Sequence, residues 1–255
     1  MKKKRIVLKL GSTTLTRGTA LISRGKLEDI ARQINELKDE NEIIIVTSGA
    51  IAAAKHYIQL HRGNPVAVKQ ALAAIGQPVL MRFYQEVFND YGIKIGQCLL
   101  TYRDFENELS RSNTLDTINT LIENGYIPVI NENDTIATDE IKFGDNDKLG
   151  ALTAVLLKAD LLILASDIDG VYDADPKSHS DANLILSVTN IDSIEHLQNG
   201  SISTLGTGGI KSKIEAARIC QAHGVTMWIV NGSKDDFAVK ALKGEIAYTA
   251  FTPIR

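Results

Sequence analysis

The chain has 255 residues, of which 44% are hydrophobic and 23% are charged, and its formal net charge is −3. This composition is typical of a globular protein with enough chain for one large core. The balanced charge gives no electrostatic case for nucleic-acid binding. No apolar run reaches the roughly 20 residues of a membrane span, and the basic N-terminus lacks the apolar stretch of a signal peptide. We therefore expect a cytoplasmic protein without nucleic-acid or membrane partners.

Short β-branched runs alternate along the chain with segments of helical spacing. Strands are predicted at Arg5–Leu10, Glu42–Thr47, Ile93–Leu100, Ile127–Ile130, Leu161–Ala165, near Leu184–Val188, at Val225–Val230 and, as a final edge strand, at Ala247–Phe251. Helices are predicted at Leu27–Leu37, Ala50–Ile58, Pro65 to about Asp90 with an interruption at Gly76-Gln77-Pro78, Arg111–Glu123, Asp145 or Asn146 to about Lys158, from Ser193, at Ile210–Ala222 and at Asp235–Leu242. This alternation predicts a mostly parallel sheet with helices on both faces, in a single domain over residues 1–255.

One polar segment, Asn131–Asp147, interrupts this pattern between a predicted strand and a predicted helix. It is rich in Asp, Glu and Asn and cannot fill a hydrophobic core. A polar connection of this length on an α/β scaffold is typical of a functional loop.

Three predicted strands end in polar or small residues that could contact a ligand, at the sheet edge where α/β proteins bind ligands. Lys9 to Thr13 combines a lysine, a glycine and hydroxyls, Thr47 to Ala50 is a small-residue turn, and Ser166-Asp167 follows the fifth strand. A fourth segment, Gly206 to Lys213, is a glycine-rich loop that leads into a helix and carries two lysines. Taken alone, each of these four segments is more simply explained as an ordinary turn or as the site of a solvated lysine than as a ligand-binding site. Together with the acidic loop they favour phosphoryl transfer.

Other chemistry is disfavoured by the spacing of the residues that would perform it. The segment Gly206 to Ser212 is not a Walker A loop, and neither it nor Gly11 to Thr16 has the GxGxxG spacing of a dinucleotide site. The two cysteines, Cys98 and Cys220, lie far apart in apolar segments and predict reduced core residues. The aspartates around Gly170 are expected to form turns. No metal ligand is firmly assigned.

Seven motifs resemble the amino acid kinase family. They are VLKLGSTTLT (Val7–Thr16), IVTSGAIAA (Ile45–Ala53), KQALAAIGQ (Lys69–Gln77), PVINENDTIAT (Pro128–Thr138), FGDNDKLGAL (Phe143–Leu152), GVYDADP (Gly170–Pro176) and LGTGGIKSKIEAA (Leu205–Ala217). The resemblance implies a three-layer α/β/α sandwich whose central sheet has about eight strands. It also implies Mg²⁺-dependent transfer of the γ-phosphoryl group of ATP to the side-chain carboxylate of L-glutamate, with proline as an inhibitor and a homo-oligomeric assembly.

The same resemblance implies roles for individual residues. The residues implied for catalysis are Lys9, Lys213 and Asp147, with Asp145 as a weaker alternative to Asp147. Those implied for glutamate binding are Ser48, Gly49, Ala50, Asp134 and Asn146. Those implied for ATP binding are Lys9, Gly11, Ser166, Asp167, Thr207, Gly208, Gly209, Ile210, Lys211, Ser212 and Lys213.

The implied reaction needs no general base, because a carboxylate of pKa ~4.3 is already ionised at neutral pH. Its difficulty is repulsion between two anions, which lysines and backbone N–H groups relieve. An acidic partner such as Asp134 suits the α-ammonium of glutamate, and donors at Ser48 to Ala50 and Asn146 suit its α-carboxylate. Thr135–Lys142 is predicted to be a mobile cover and the seat of feedback control.

Two alternatives remain open on the sequence. The first is another member of the family, such as an acetylglutamate, carbamate or uridylate kinase, although the NEND and GDND motifs argue against these. The second is a non-catalytic ligand sensor with the same fold, although the lysines Lys9 and Lys213 argue against it. The chain ends at Arg255, and we expect it to lack the C-terminal PUA domain of many relatives.

Overall fold

In the computed structural model of this chain, residues 3–253 are described except for 60–61, 138–145, 175, 177, 180 and 200–208. The strands are β1 (Lys4–Leu10), β2 (Asn41–Thr47), β3 (Lys94–Leu100), β4 (Tyr126–Glu132), β5 (Leu161–Ser166), β6 (Ser187–Val188), β7 (Thr226–Asn231) and β8 (Thr249–Phe251). The α-helices are α1 (Ser12–Thr16), α2 (Arg24–Leu37), α3 (Ala50–Ala54), α4 (Pro65–Asn89), α5 (Tyr102–Glu106), α6 (Glu108–Glu123), α7 (Asp147–Leu156), α8 (Ile210–Ala222) and α9 (Phe237–Leu242), and a 3₁₀ helix spans Ile191–Asn199.

Within this described part, the strands form one eight-stranded sheet in the order β3-β4-β2-β1-β5-β7-β8-β6. Neighbouring strands are parallel except for β7 and β8, which are antiparallel. Alternate residues of each central strand face opposite sides, so that Ile6 and Leu8 of β1 pack with α2 and α4, whereas Val7 packs with α7 and α8. The predicted α/β/α sandwich with a mostly parallel sheet of about eight strands is therefore confirmed.

The parallel register brings the carboxyl ends of the central strands to one edge. Lys9 pairs with Val46 of β2 and with Leu164 of β5, and Leu10 pairs with Thr47 and Ala165. Because the strands run in the same direction, the polar segments that follow them begin side by side.

The last strand was predicted at the sheet edge, and this was wrong. Strand β8 lies between β7 and β6, so the two-residue β6 forms the edge. The Thr249 hydroxyl holds this arrangement, because it accepts from Val171 N at 2.8 Å and donates to Ile185 O at 2.6 Å. These bonds attach the irregular segment after β5 to β8, and the position of a strand in sequence carries no record of such a contact.

The interruption predicted at Gly76-Gln77-Pro78 is absent, since α4 runs through it as one helix. Pro78 cannot donate to the carbonyl of Ala74, but both residues are exposed, so water can satisfy that carbonyl. Gly76 is needed where α4 crosses α3, because a Cβ at this position would stand 1.7 Å from Ala50 O. The close crossing of the two helices explains the glycine that suggested a break.

Other helices begin or end a few residues away from their predicted boundaries, and in one case a capping side chain gives the reason. The helix predicted from Arg111 begins at Glu108, because the Asn107 side chain accepts from Ser110 N at 2.9 Å. The helix predicted over Ala50–Ile58 ends at Ala54, and the one predicted from Ser193 is the 3₁₀ helix. Helices α1 and α5 were not predicted.

Cys98 and Cys220 are free thiols, and Cys220 is buried in the core as predicted, whereas Cys98 is only half-buried. Among the described helices, none is both long and apolar enough to cross a bilayer.

The crossing of α4 and α3 predicts that replacing two helical glycines by alanine will change the stability of the protein in opposite directions. Gly76→Ala should lower the free energy of unfolding by about 3 kcal/mol, because the added methyl overlaps a backbone carbonyl. Gly25→Ala, in an exposed turn of α2 with nothing near the added Cβ, should raise it by up to about 1 kcal/mol. Urea unfolding measures both, and equal effects at the two positions would contradict the close crossing.

Candidate active site

A buried carboxylate between two lysines lies at the edge where the central strands end. Asp147, the first residue of α7, accepts from Lys9 Nζ at one carboxylate oxygen and from Lys213 Nζ at the other, the latter at 3.0 Å. The Ser212 hydroxyl also donates to this second oxygen, at 3.0 Å. Asp147 has no exposed surface, and Lys9 and Lys213 are also buried. Groups predicted from three separate motifs therefore meet at one point.

The lysines determine the ionisation of this carboxylate. Burial alone would raise the pKa of Asp147, but Lys9 and Lys213 outweigh that effect and hold the pKa well below its usual range. The group is therefore ionised at neutral pH, and its low pKa makes it too weak a proton acceptor to serve as a general base.

The glycines around Lys9 explain how a lysine fits beneath a helix. A Cβ at Gly150 of α7 would stand 3.3 Å from Lys9 Cγ, so the helix lies directly on the lysine stem. A Cβ at Gly11 would stand 3.5 Å from Lys9 Nζ, so the backbone that follows β1 lies beside the ammonium group. An anion near this backbone would also be near the lysine.

A neutral polar cluster adjoins the lysines on the side of β2 and β4. Asn146 Nδ2 donates to Thr47 O at 2.5 Å, to Asn131 Oδ1 at 2.8 Å and to Ser48 Oγ at 3.1 Å. Asn146 occupies the N-cap position of α7, as predicted, but its side chain makes no capping hydrogen bond because it is turned toward β2 and β4. It thereby links the turn after β2 to the end of β4.

The turn at Ser48-Gly49-Ala50 is closely packed. Gly49 has φ 101°, a conformation that favours glycine, and a Cβ there would approach Ile22 Cδ1 to 3.1 Å. Ser48 N donates to Leu10 O at 3.1 Å, which joins the turn to the end of β1.

Asp134 follows β4 and is half-buried. Burial, together with the nearby carboxylate of Glu132, raises the pKa of Asp134 to about 6. A cation beside it would restore its usual ionisation, so the position suits an ammonium group.

The other predicted residues lie around the ends of β5 and α8. Ser166 ends β5 and its hydroxyl donates to Asp167 at 3.2 Å, while Gly209 immediately precedes α8 and Ile210 and Lys211 begin it. The expectations for Asp145, Thr207, Gly208 and Thr138–Lys142 fall outside the described residues.

Sequence reasoning missed the contacts of two polar residues at this edge, Asp169 and Gln77. Asp169, expected to form a turn, binds Lys234 at 2.5 Å and Asn231 at 3.0 Å, and so ties the loop after β5 to the loop after β7. Gln77 lies in the predicted helix interruption at Gly76-Gln77-Pro78, but in the structure it is buried within α4 and accepts from Asn131 at 2.8 Å. A polar residue between apolar positions of α4 was the available signal for Gln77; no local signal pairs Asp169 with Lys234.

Comparison with known proteins gives a consistent result. Residues 4–231 match the amino acid kinase family. A protein named glutamate 5-kinase from Alkaliphilus metalliredigens is 44% identical over 253 residues, covering 98% of this chain and 96% of that protein. Another of that name from Shewanella woodyi is 42% identical over 254 residues, covering 98% of this chain and 68% of that protein. The structure of UMP kinase from Ureaplasma parvum, at 18% identity, shares the fold with a TM-score of 0.67 over 99% of this chain and 100% of that one.

The buried charge cluster predicts a pH-dependent stability. Asp147→Asn should lower the free energy of unfolding at neutral pH by about 3–5 kcal/mol, because two buried ammonium groups lose their shared partner. The native pKa of Asp147 is depressed, so its contribution is present above about pH 4 and is lost as the pH falls further. In urea unfolding, the difference in free energy of unfolding between the wild type and Asp147→Asn should become smaller below about pH 4. A difference that does not change with pH would contradict this ionisation.

Proposed function

The chain belongs to the amino acid kinase family, and on that premise we propose that it acts as a glutamate 5-kinase. It transfers the γ-phosphoryl group of ATP to the side-chain carboxylate of L-glutamate, which gives L-glutamyl 5-phosphate and ADP in the first step of proline biosynthesis. The observation that carries the proposal is the buried cluster of Lys9, Asp147 and Lys213. The two ammonium groups lie close together in a buried site, and paired cations shielded from water favour a polyanionic ligand.

The proposed reaction is an in-line displacement. A γ-carboxylate oxygen of glutamate attacks the γ-phosphorus, the bond from that phosphorus to the β–γ bridging oxygen breaks, and ADP leaves with the electron pair. Lys9 and Lys213 neutralise charge that spreads over the phosphoryl oxygens, and Asp147 keeps both ammonium groups in position. No proton has to be removed from the nucleophile.

The glutamate and nucleotide contacts follow from the positions of the residues around the cluster. We assign the α-ammonium of glutamate to Asp134 and the turn at Ser48, Gly49 and Ala50 to its carboxylates. The amide hydrogens of Asn146 are already donated, so Asn146 offers an acceptor and not the donor expected from the sequence. The remaining residues are assigned to ATP: Gly11, Ser166, Asp167, Thr207, Gly208, Gly209, Ile210, Lys211 and Ser212.

Magnesium is proposed to enter with the nucleotide. The described residues contain no cluster of three Asp, Glu, His or Cys side chains that could hold a metal, and the carboxylate of Asp147 is engaged by lysines. The ATP phosphates would therefore supply most of its ligands, and the ion would contribute charge neutralisation.

The proposal extends to regulation and assembly. Proline is proposed to inhibit by occupying the glutamate pocket; it should then raise the apparent glutamate KM, and inhibition independent of glutamate would contradict this. A homo-oligomer is supported by the exposed apolar side chains Leu99 on the edge strand β3 and Leu109 on α6, and sedimentation would test it. The free cysteines and the net charge support a cytoplasmic location without a nucleic-acid partner.

The central test is to trap the acyl phosphate as a hydroxamate. The protein with Mg-ATP and L-glutamate should yield hydroxamate, and Lys213→Ala should lower kcat by about 100-fold or more with a smaller change in the glutamate KM, because the lysine acts on the developing phosphoryl charge. The matched control is Lys148→Ala, which removes a surface lysine paired with Glu215 and should leave kcat unchanged. No hydroxamate with L-glutamate or any other acidic amino acid would refute the proposal.

The raised pKa of Asp134 predicts how glutamate use depends on pH. Below about pH 6 the carboxyl is neutral and no longer attracts the α-ammonium, so kcat/KM for glutamate should fall as the pH drops through about 6 while kcat changes less. Asp134→Asn should have a low kcat/KM that hardly varies between about pH 5 and 7, since no nearby group of glutamate titrates there. A wild-type profile that is flat across pH 6 would contradict the assignment.

A further inference from the structure

Three buried amide side chains form a continuous hydrogen-bonded line beside the proposed glutamate site. Asn146 Nδ2 donates to Asn131 Oδ1 at 2.8 Å, and Asn131 Nδ2 donates to Gln77 Oε1 at 2.8 Å. Gln77 comes from α4, Asn131 from the end of β4 and Asn146 from the position before α7. We call these three residues the amide relay. Neither Gln77 nor Asn131 has been assigned a role in the proposed reaction, and Gln77 is the member at the end of the line.

Backbone groups determine the direction of every amide in the relay. Asn146 must present its nitrogen to the carbonyl of Thr47, which can only accept. Asn131 must present its oxygen to the N–H of Glu132, at 3.0 Å, which can only donate. The nitrogen of Asn131 then faces Gln77, which has to offer its oxygen.

This direction leaves two atoms of opposite character at the ends of the relay. Gln77 Nε2 is a donor and Asn146 Oδ1 is an acceptor, and each is buried without a hydrogen-bond partner among the described residues. A buried donor or acceptor left unpaired costs free energy, so a ligand that pairs both atoms gains what the protein alone lacks. An α-amino acid carries the complementary pair on one carbon, a carboxylate that accepts and an ammonium that donates.

The packing of α4 sets Gln77 near the proposed glutamate contacts. Gly76 lets α4 lie directly against the carbonyl of Ala50, the last residue of the Ser48-Gly49-Ala50 turn. Gln77 follows immediately and is 9% exposed. The relay therefore runs from beside this turn to Asn146, which itself bonds Ser48 at 3.1 Å.

We propose that Gln77 is a specificity-determining residue that binds the α-carboxylate of the substrate through Nε2. The relay also orients Asn146, so that its Oδ1 accepts from the α-ammonium alongside Asp134. The site thereby selects an α-amino acid zwitterion over a dicarboxylic acid that lacks the amino group. This inference rests on the proposed function for the identity of the substrate, but amino acid binding can be measured without phosphoryl transfer.

The test is equilibrium binding by calorimetry, without nucleotide, of L-glutamate and of L-isoglutamine, in which an amide replaces the α-carboxylate. Wild-type protein should prefer L-glutamate. Gln77→Glu keeps the oxygen that accepts from Asn131 and replaces the donor with a negative charge. Its affinity for L-glutamate should fall by about 10–100-fold, as expected for loss of a hydrogen bond to a charged group, and its preference should shift toward L-isoglutamine, whose amide can donate to the new carboxylate.

A matched variant separates selectivity from general damage to the core. Gln33 is another buried amide, on α2 and away from the relay. It donates to Asp29 at 2.9 Å and accepts from Ala238 N of α9 at 2.8 Å. Gln33→Ala should lower stability and leave the preference between the two ligands unchanged. Steady-state kinetics of Gln77→Glu should show a raised glutamate KM with a much smaller change in kcat, as a purely structural defect would not.

The possible outcomes distinguish this inference from the proposed function. Unchanged glutamate affinity in Gln77→Glu, equal losses for both ligands, or no preference for L-glutamate over glutarate in the wild type would each overturn the role of Gln77. If the wild type shows the expected binding preferences but forms no acyl phosphate, the kinase proposal fails and the binding inference stands. If acyl phosphate forms and the preference of Gln77→Glu is unaltered, only this inference fails.

Discussion

The buried pairing of Asp147 with Lys9 and Lys213 is the interaction on which the rest of the structure depends. Removing ions from water costs several kcal/mol each, so a fully buried carboxylate is tolerated only when its partners are held in place. Strand β1, helix α7 and helix α8 each supply one member. A shift of any of the three would leave a charge unpaired in the interior, and the layers on one face of the sheet must therefore keep all three in register.

Close backbone approach is how the fold meets this requirement. Gly150 allows α7 to lie on the stem of Lys9, and Gly76 allows α4 to cross α3 at the turn after β2. A third glycine, Gly232, follows β7, where a Cβ would stand 2.8 Å from Ala165 Cβ. The positions of the polar groups therefore depend on these glycines, which allow close backbone packing, as much as on the polar side chains themselves.

Two halves of the proposed site use different physics. On the lysine side the proposal relies on charge, because the attraction between ammonium groups and phosphate depends little on direction and tolerates some change in ligand position. The amide relay is neutral. Its proposed contribution comes from the fixed direction of its hydrogen bonds, because two backbone groups determine which end donates and which end accepts. A neutral relay avoids a second buried charge near Asp147, and in its proposed role it would distinguish ligands by the order of their donors and acceptors.

The sequence alone determined the strands and the longer helices, because burial and chain propensity leave their period in neighbouring residues. It also located Lys9, Asp147 and Lys213, since their motifs are local. Only the tertiary structure decided that α4 runs unbroken past Pro78, that β8 lies inside the sheet, that Asp169 meets Lys234 and that Gln77 bonds Asn131. Gln77 and Asn131 are 54 residues apart, and Lys9 and Asp147 are 138 apart. Contacts over such separations depend on how the layers pack around the sheet, and no local pattern records that packing.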